Sequence, residues 1–113
     1  MFIKKTAGGM TEVIQGVHLK TLVYGDKTLM TEVLLEKSAT IPPHAHPYEQ
    51  TGYLVSGHME FNINGVKQNS EPGDSWCIAQ NVEHSAIAIE ETVVVEIFSP
   101  VREDYLPYFT PNE

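Results

Sequence analysis

The sequence of 113 residues has a single cysteine, Cys77, and no long apolar run. One cysteine excludes an internal disulfide framework and a zinc site built from several cysteines. No apolar stretch approaches the roughly 20 residues that a membrane-spanning helix needs. The residues after Lys4 and Lys5 are not the apolar segment of a secretory signal peptide either. These absences together predict a cytoplasmic protein.

Basic residues are also scarce. The 7 Lys and Arg residues stand against 15 Asp and Glu residues, so the formal net charge is −8. Such an acidic chain repels phosphate backbones and anionic lipid surfaces, which argues against nucleic acid and membranes as partners. The length predicts one domain over residues 1–113, with a core at about 15–106 and a terminal arm on either side.

Turn signals recur at short intervals, and Asn64-Gly65 and Pro72-Gly73-Asp74 are the clearest of them. The intervals are too short for helices of normal length and favour an all-β sandwich or barrel. Apolar residues alternate with a period of two between the turns, which is the strand signal. Asn64-Gly65 predicts a tight hairpin between strands at about 58–63 and 66–70, because both turn residues tolerate positive φ.

Two histidines, His44 and His46, stand two residues apart. On a strand such residues point to the same face, so both imidazoles would lie on one side. Histidine is the commonest metal ligand. Gln50 can add an amide oxygen, and His84 opens a later strand that could pair beside the first two. The spacing alone also fits two surface histidines with no metal. His18 and His58 are interpreted as lying outside this group.

This segment resembles the first cupin motif: a glycine, five residues, His-x-His, three or four residues, a carboxylate, six residues and a second glycine. Ser38 stands at the place of the first glycine, and the later motif positions fall on His44, His46, Gln50 and Gly57. Gln50 replaces the usual glutamate, so every ligand would be neutral. An ion held by neutral ligands keeps its full charge and is a stronger Lewis acid.

The second cupin motif is matched more loosely by Gly65, Pro72-Gly73-Asp74 and His84. Both motifs together imply a jelly-roll barrel or sandwich of antiparallel strands. They also imply one divalent transition metal ion, with Zn, Ni, Mn and Fe all left open. The implied ligands are His44, His46, Gln50 and His84.

The segment from Glu96 to Asp104 resembles the C-terminal signature of the pectin-degradation branch of small cupins, which ketonise 4,5-unsaturated uronates. In that branch an acidic residue, usually aspartate, a phenylalanine and an arginine line the site. By resemblance Glu96 and Arg102 would be catalytic, and Phe98 and Arg102 would bind the substrate. Periodicity alone leaves open which face of its strand Glu96 occupies. Arg102 could instead pair on the surface with Asp104 or its neighbour Glu103.

Two further aromatic residues, Tyr53 and Trp76, are candidate walls of the substrate pocket, although aromatic residues are more often part of a core. Cys77 is predicted to be a small buried hydrophobic residue.

Three functions fit these features. The first is a metal-dependent isomerase that moves a proton on a carboxylated sugar fragment. The second is an iron-dependent dioxygenase, and the third is a non-catalytic domain that binds a small molecule and is stiffened by a metal. The partner in each case is a small molecule. A homodimer is expected, because small cupins commonly pair and two-fold symmetry is the commonest closed arrangement.

Overall fold

The chain folds almost entirely into short strands. The computed structural model describes residues 1–5 and 8–112, and residues 6, 7 and 113 lie outside the described residues. A short 3₁₀ helix, Glu103–Tyr108, follows the last strand. The strands within the described residues are β1 (Thr11–Ile14), β2 (Val17–Tyr24), β3 (Leu29–Leu35), β4 (Thr40–His44), β5 (Glu49–Ser56), β6 (Met59–Ile63), β7 (Val66–Ser70), β8 (Ser75–Ile78), β9 (His84–Ala88) and β10 (Thr92–Ser99).

The strands form two sheets. Six strands pair in the order β1-β2-β3-β10-β5-β8, and four pair in the order β4-β9-β6-β7. The pairings between these strands are antiparallel. The predicted all-β jelly roll of antiparallel strands is therefore confirmed.

The apolar core draws buried residues from strands of both sheets, because alternate side chains of each strand point inward. In β10, Thr92, Val94, Glu96 and Phe98 are buried, whereas the residues between them are partly exposed. Fully burying one large apolar side chain stabilises a fold by about 1.5–3 kcal/mol. The core consists of Val17, Leu19, Val33, Leu35, Leu54, Met59, Phe61, Ala86, Ala88 and Val94.

The turns need backbone conformations that favour glycine. Asn64 and Gly65 have φ of 51° and 83° and join β6 to β7, which confirms the predicted hairpin. Ser38, at the first glycine position of the motif, has a φ of 71° and so adopts the left-handed conformation itself. Gly57, at the second, has a φ of 100°, and a Cβ there would lie 2.3 Å from the carbonyl oxygen of Glu91.

Both terminal segments pack beside β2. Strand β1 pairs with it directly, and Thr21 Oγ1 of β2 donates a hydrogen bond of 2.6 Å to the carbonyl oxygen of Tyr105 in the 3₁₀ helix. Residues of both segments line one cavity of the protein.

The expectation that Cys77 is buried is wrong. Its side chain is exposed, since it alternates along β8 with the partly buried Trp76 and the buried Ile78. Across residues 1–5 and 8–112, no helix has the length and apolar character needed to cross a membrane.

Candidate metal centre and its cavity

Three histidines lie side by side where β4 meets β9. His44 ends β4 and is in register with His84, the first residue of β9. Their ring centroids are 4.2 Å apart. The ring of His46 lies 5.6 Å from that of His44 and 5.0 Å from that of His84, centroid to centroid. One ring nitrogen from each histidine lies within 4.8 Å of the other two, which is close enough for all three to share one ion.

Hydrogen bonds to backbone carbonyls determine which ring nitrogen of His44 and of His84 is free to bind a metal. His44 Nδ1 lies 3.0 Å from the carbonyl oxygen of Pro42, and His84 Nδ1 lies 2.8 Å from that of Val82. A carbonyl only accepts, so each Nδ1 carries the proton and each Nε2 keeps its lone pair. His84 Nε2 is buried and has no hydrogen-bond partner within the described part of the chain. A buried nitrogen with a free lone pair fits a metal ligand.

Burial also keeps two of these imidazoles in the form that binds metal. Desolvation lowers the pKa of both His46 and His84 from the ordinary value of 6.5. The nearby guanidinium of Arg102 lowers the pKa of His46 further. Both rings are therefore neutral at pH 7, and neutral imidazole is the form that ligates a metal.

Gln50 links the histidines to an acidic residue. Its buried side chain places Oε1 2.9 Å from Nε2 of His46. Its Nε2 donates a hydrogen bond to Oε2 of Glu96. The amide oxygen thus lies beside the histidines, where it can serve as a fourth ligand, while the amide nitrogen faces the carboxylate.

Glu96 points into the barrel. It is 8% exposed, and its neighbours Val95 and Ile97 point to the other face of β10. The interpretation that places Glu96 on a solvent face is therefore wrong. Burial raises the pKa of Glu96, and the hydrogen bonds from Gln50 and Trp76 counteract part of that rise.

A cavity of about 290 Å³ opens beside this group. Its polar lining includes two of the histidines, Gln50 and Glu96, and most of the remaining lining is apolar. A largely apolar lining lowers the local dielectric and so strengthens electrostatic interactions within the cavity. The lining residues are Val13, Ile14, Val17, Leu19, Val33, Leu35, Ile41, Pro42, His44, Gln50, Met59, Phe61, His84, Ser85, Ala86, Val94, Glu96, Phe98, Arg102, Tyr105 and Tyr108.

Arg102 lines the same cavity and is held by its neighbours. Its guanidinium carbon lies 3.8 Å from the ring centroid of Tyr105, 5.0 Å from that of Phe98 and 5.4 Å from that of Tyr48. Its Nε donates to both carboxylate oxygens of Asp104, at 3.1 and 3.2 Å. Arg102 therefore does two things at once. Its Nε pairs with Asp104, and its side chain also lines the cavity.

The other predicted substrate contacts divide into three cases. Phe98 is buried, lines the cavity and has its ring centroid 5.8 Å from that of His46. Trp76 does not line this cavity; it contacts Glu96 instead, through a hydrogen bond of 3.2 Å from Nε1 to Oε2. Tyr53 is 51% exposed, and its β5 neighbour Leu54 points the opposite way, into the core. The structure therefore does not bring Tyr53 to the cavity.

Two tyrosines that line the cavity, Tyr105 and Tyr108, were not predicted from the sequence. They lie in the 3₁₀ helix, where residues three apart share a face. Their rings contact each other, with centroids 5.9 Å apart. Burial raises the pKa of Tyr105 to about 12, so its hydroxyl stays protonated at neutral pH. The spacing of the two tyrosines could have indicated a shared face, had the helix itself been predicted.

His18 lies in a second group of candidate ligands, apart from the cavity. Its Nε2 lies 2.8 Å from an oxygen of Glu36 and 3.8 Å from one of Glu12. Both carboxylates are exposed and the histidine is partly so. These contacts already satisfy the imidazole as a hydrogen-bonded pair with Glu36.

Residues 31–99 match the family model of the cupin domain. The chain belongs to the cupin family. It is 32% identical over 97 residues to the pectin degradation protein KdgF of Dickeya dadantii (strain 3937), a match that spans 84% of this chain and 88% of that protein.

Solved cupin structures agree with this assignment. KdgF from Halomonas sp. superposes with a TM-score of 0.89 at 29% identity, covering 94% of this chain and 98% of the other. An RmlC-like cupin from Shewanella frigidimarina superposes with a TM-score of 0.88 at 26% identity, covering 93% and 95%. The resemblance of this chain to the pectin-degradation branch of the cupins is therefore confirmed.

Proposed function

We propose that this cupin is a metal-dependent isomerase that ketonises a 4,5-unsaturated uronate during pectin breakdown. The observation that carries the proposal is a buried carboxylate, Glu96, that lines one cavity together with candidate metal ligands and an arginine. The similarity to two KdgF proteins, one of which is described as a pectin degradation protein, supports the substrate class.

The residues that would hold the metal are His44, His46, His84 and Gln50. An imidazole in its ligating form and an amide oxygen carry no charge, so this set would leave the charge of the ion undiminished. A bound divalent ion would supply Lewis acidity that polarises the substrate oxygen that becomes the ketone oxygen. Zn, Ni, Mn and Fe are all compatible with a set of imidazoles and one amide oxygen.

Arg102 would bind the substrate carboxylate. Its Nε is engaged by Asp104, which leaves the two terminal NH₂ groups of the guanidinium for a ligand. A planar guanidinium can hold a carboxylate through two parallel hydrogen bonds. The contact with the Tyr105 ring limits the rotation of the guanidinium, so little entropy is lost when the substrate binds.

Glu96 would move the proton. In the ketonisation step the C5 hydroxyl of the ring-opened enol loses its proton and C4 gains one, while the C4=C5 π bond is replaced by the π bond of the C5 ketone. No atom is gained or lost overall, and no electron carrier is needed. A carboxyl group whose pKa is raised by burial holds its proton more readily than an exposed one, so it can act as base and acid in one cycle. The glutamate is one methylene longer than the aspartate usual in the branch.

The experiment that tests this function follows the loss of ultraviolet absorbance of an unsaturated galacturonate. We expect the wild-type protein, loaded with metal, to consume it faster than buffer alone. Glu96→Gln is isosteric and should lower kcat at least about 100-fold, the usual contribution of a general acid-base group. A Glu90→Gln variant, which changes an exposed glutamate, is the matched control. Equal rates for wild type and Glu96→Gln would reject the role of Glu96.

We propose further that the whole chain is one cupin domain and forms a homodimer through the outer face of the six-stranded sheet. This face carries Tyr53 and Val55, 51% and 48% exposed, next to the outward Val93, Val95 and Ile97 of β10. Six strands about 4.8 Å apart and about seven residues long present roughly 600 Å² of projected area. A standard interface needs about 800 Å² of accessible surface from each partner. Light scattering should give twice the chain mass for the wild type and a monomer for Val55→Glu, whereas a monomeric wild type would reject the dimer.

A cytoplasmic location stays a prediction.

A further inference from the structure

Trp76 contacts the proposed acid-base group from outside the cavity. It lies on β8, in register with Gly52 of β5. Its indole Nε1 donates a hydrogen bond of 3.2 Å to Oε2 of Glu96. Its ring packs against Phe61, with centroids 4.7 Å apart. The indole is therefore fixed by the core on one side and by the carboxylate on the other.

Gly52 makes this placement possible. A Cβ at position 52 would lie 2.3 Å from the ring atoms Nε1 and Cε2 of Trp76. No real side chain tolerates such a contact, so the indole can lie across β5 only where that strand has a glycine. The β5 backbone thus supports the indole at the position from which its N–H reaches Glu96.

A second donor reaches the same carboxylate oxygen. Gln50 Nε2 also donates to Oε2 of Glu96, so two N–H groups converge on one oxygen. No hydrogen bond within residues 1–5 and 8–112 engages the other oxygen, Oε1, and Glu96 lines the cavity. Two donors on Oε2 fix the carboxylate plane and leave Oε1 for a ligand.

The orientation of Gln50 depends on both of its neighbours. Its Oε1 faces His46 Nε2, and its nitrogen can only donate, which suits the carboxylate. A glutamate at position 50 would bring two carboxylates into contact, and like charges at that distance disfavour the ionised pair. An amide at this position can act as a metal ligand and as a donor to Glu96 at the same time.

We propose that Trp76 is a positioning residue for the reaction: together with Gln50, its indole N–H holds Oε2 of Glu96 and so presents Oε1 to the substrate. This inference rests on the proposed function for its kinetic part. Its structural part, the bond between Trp76 and Glu96 and its link to the metal site through Gln50, can be measured without any turnover.

The chain provides its own reporter, because Trp76 is its only tryptophan. In a ¹⁵N-labelled full-length protein loaded with Zn²⁺, the indole N–H gives one cross-peak. We expect Glu96→Gln to move that peak upfield, because the acceptor loses its charge. Removing Zn²⁺ with a chelator should also move it, since Gln50 then no longer ligates the ion and its amide is free to reorient against Glu96. An indole peak that stays in place in both cases would overturn the proposal.

Steady-state kinetics of two Trp76 replacements distinguish the effect of the indole N–H group from the effect of the ring. Trp76→Phe removes the donor and shrinks the ring. Replacement of the single tryptophan by benzothienylalanine, which has sulfur in place of N–H, keeps the shape and removes only the donor. Both should lower kcat about tenfold with KM within about twofold, because Glu96 loses one of the two donors that orient it; a tenfold change corresponds to about 1.4 kcal/mol.

Cys77→Ser, an exposed change on the same strand, is the control and should keep kcat unchanged. A benzothienylalanine protein that keeps the wild-type kcat would overturn the positioning role even if Trp76→Phe were inactive through misfolding. If the wild type does not turn over any uronate, the proposed function fails, and the indole cross-peak alone decides whether Trp76 positions Glu96.

Discussion

The guanidinium of Arg102 stacks on the ring of Tyr105, with 3.8 Å between the guanidinium carbon and the ring centroid. Tyr105 follows Arg102 by only three positions along the chain, and the first turn of the 3₁₀ helix brings them together. The Tyr105 amide also donates to the Arg102 carbonyl oxygen at 3.0 Å. The C-terminal segment therefore supplies both the cation of the cavity and the surface on which that cation lies.

Arg102→Lys is predicted to weaken substrate binding. Lysine keeps the charge but loses the planar pair of donors and the stacking on Tyr105. Loss of charge-assisted hydrogen bonds worth about 1.5–3 kcal/mol should raise KM roughly 10- to 100-fold. Steady-state kinetics on an unsaturated uronate would check this. An unchanged KM would mean that another residue binds the carboxylate.

Asp104→Asn is the companion variant to Arg102→Lys. It keeps a hydrogen-bond acceptor for Arg102 Nε but removes the charge of an exposed side chain. Exposed ion pairs contribute about 0–1 kcal/mol, so KM should rise less than about fivefold. A rise as large as that of Arg102→Lys would show that Asp104, and not the stacking, sets the geometry of the guanidinium.

The buried Glu96 should make stability depend on pH. In the unfolded chain this carboxyl ionises near its ordinary value of 4.5, whereas in the folded protein its pKa is raised by burial. The unfolded state therefore releases its proton first, and stability falls as pH rises from about 4.5 through the raised pKa. Glu96→Gln lacks this loss, so its free energy of unfolding relative to wild type should increase between pH 4.5 and 8.

Urea unfolding of the metal-free proteins would measure that difference. His46 and His84, whose lowered pKa values destabilise the fold as pH falls below 6.5, contribute equally to both proteins and cancel. The exposed Glu90→Gln should show no such trend relative to wild type. A constant gap between wild type and Glu96→Gln across the pH range would indicate that Glu96 is not desolvated.

Gly57→Ala is predicted to destabilise the fold by about 2–4 kcal/mol. Its φ of 100° strains any other residue, and the added Cβ would lie 2.3 Å from the Glu91 carbonyl oxygen. Gly25→Ala, where a Cβ meets nothing within 4 Å, should change stability by less than about 0.5 kcal/mol. Chemical denaturation of both variants would check the comparison, and similar values for the two would contradict it.

Much of the fold was readable from the sequence because local rules determine it. The period of two indicated β2, β6 and β9, the valine and isoleucine content indicated β10, and Asn64-Gly65 located the hairpin within one residue. The 3₁₀ helix was not predicted, since six residues with an internal Pro107 carry no helical periodicity. Cys77 was wrongly predicted to be buried, because cysteine is usually a buried residue type. Its exposure is instead determined by its position in the alternation of side chains along β8.

The candidate site was readable in part. The spacing of His44 and His46 and the pairing with His84 follow from strand geometry, so their convergence could be predicted. The sequence could not decide whether Glu96 points inward, because both faces of Val93–Phe98 are apolar in character. That choice depends on the pairing of β10 with β3 and β5, which is a long-range property. The role of Trp76 depends on Gly52, a contact across strands that no local pattern indicates.

The most direct test of the central claim is elemental analysis of protein purified without a metal-affinity tag and then incubated with Zn, Ni, Mn or Fe. We predict about one tightly held ion per chain for the wild type and for His18→Gln, and less than about one tenth for His84→Ala, because each ligand is needed for the site. A His84→Ala protein that still binds one ion per chain, or a wild type that binds none of these metals, would contradict the account.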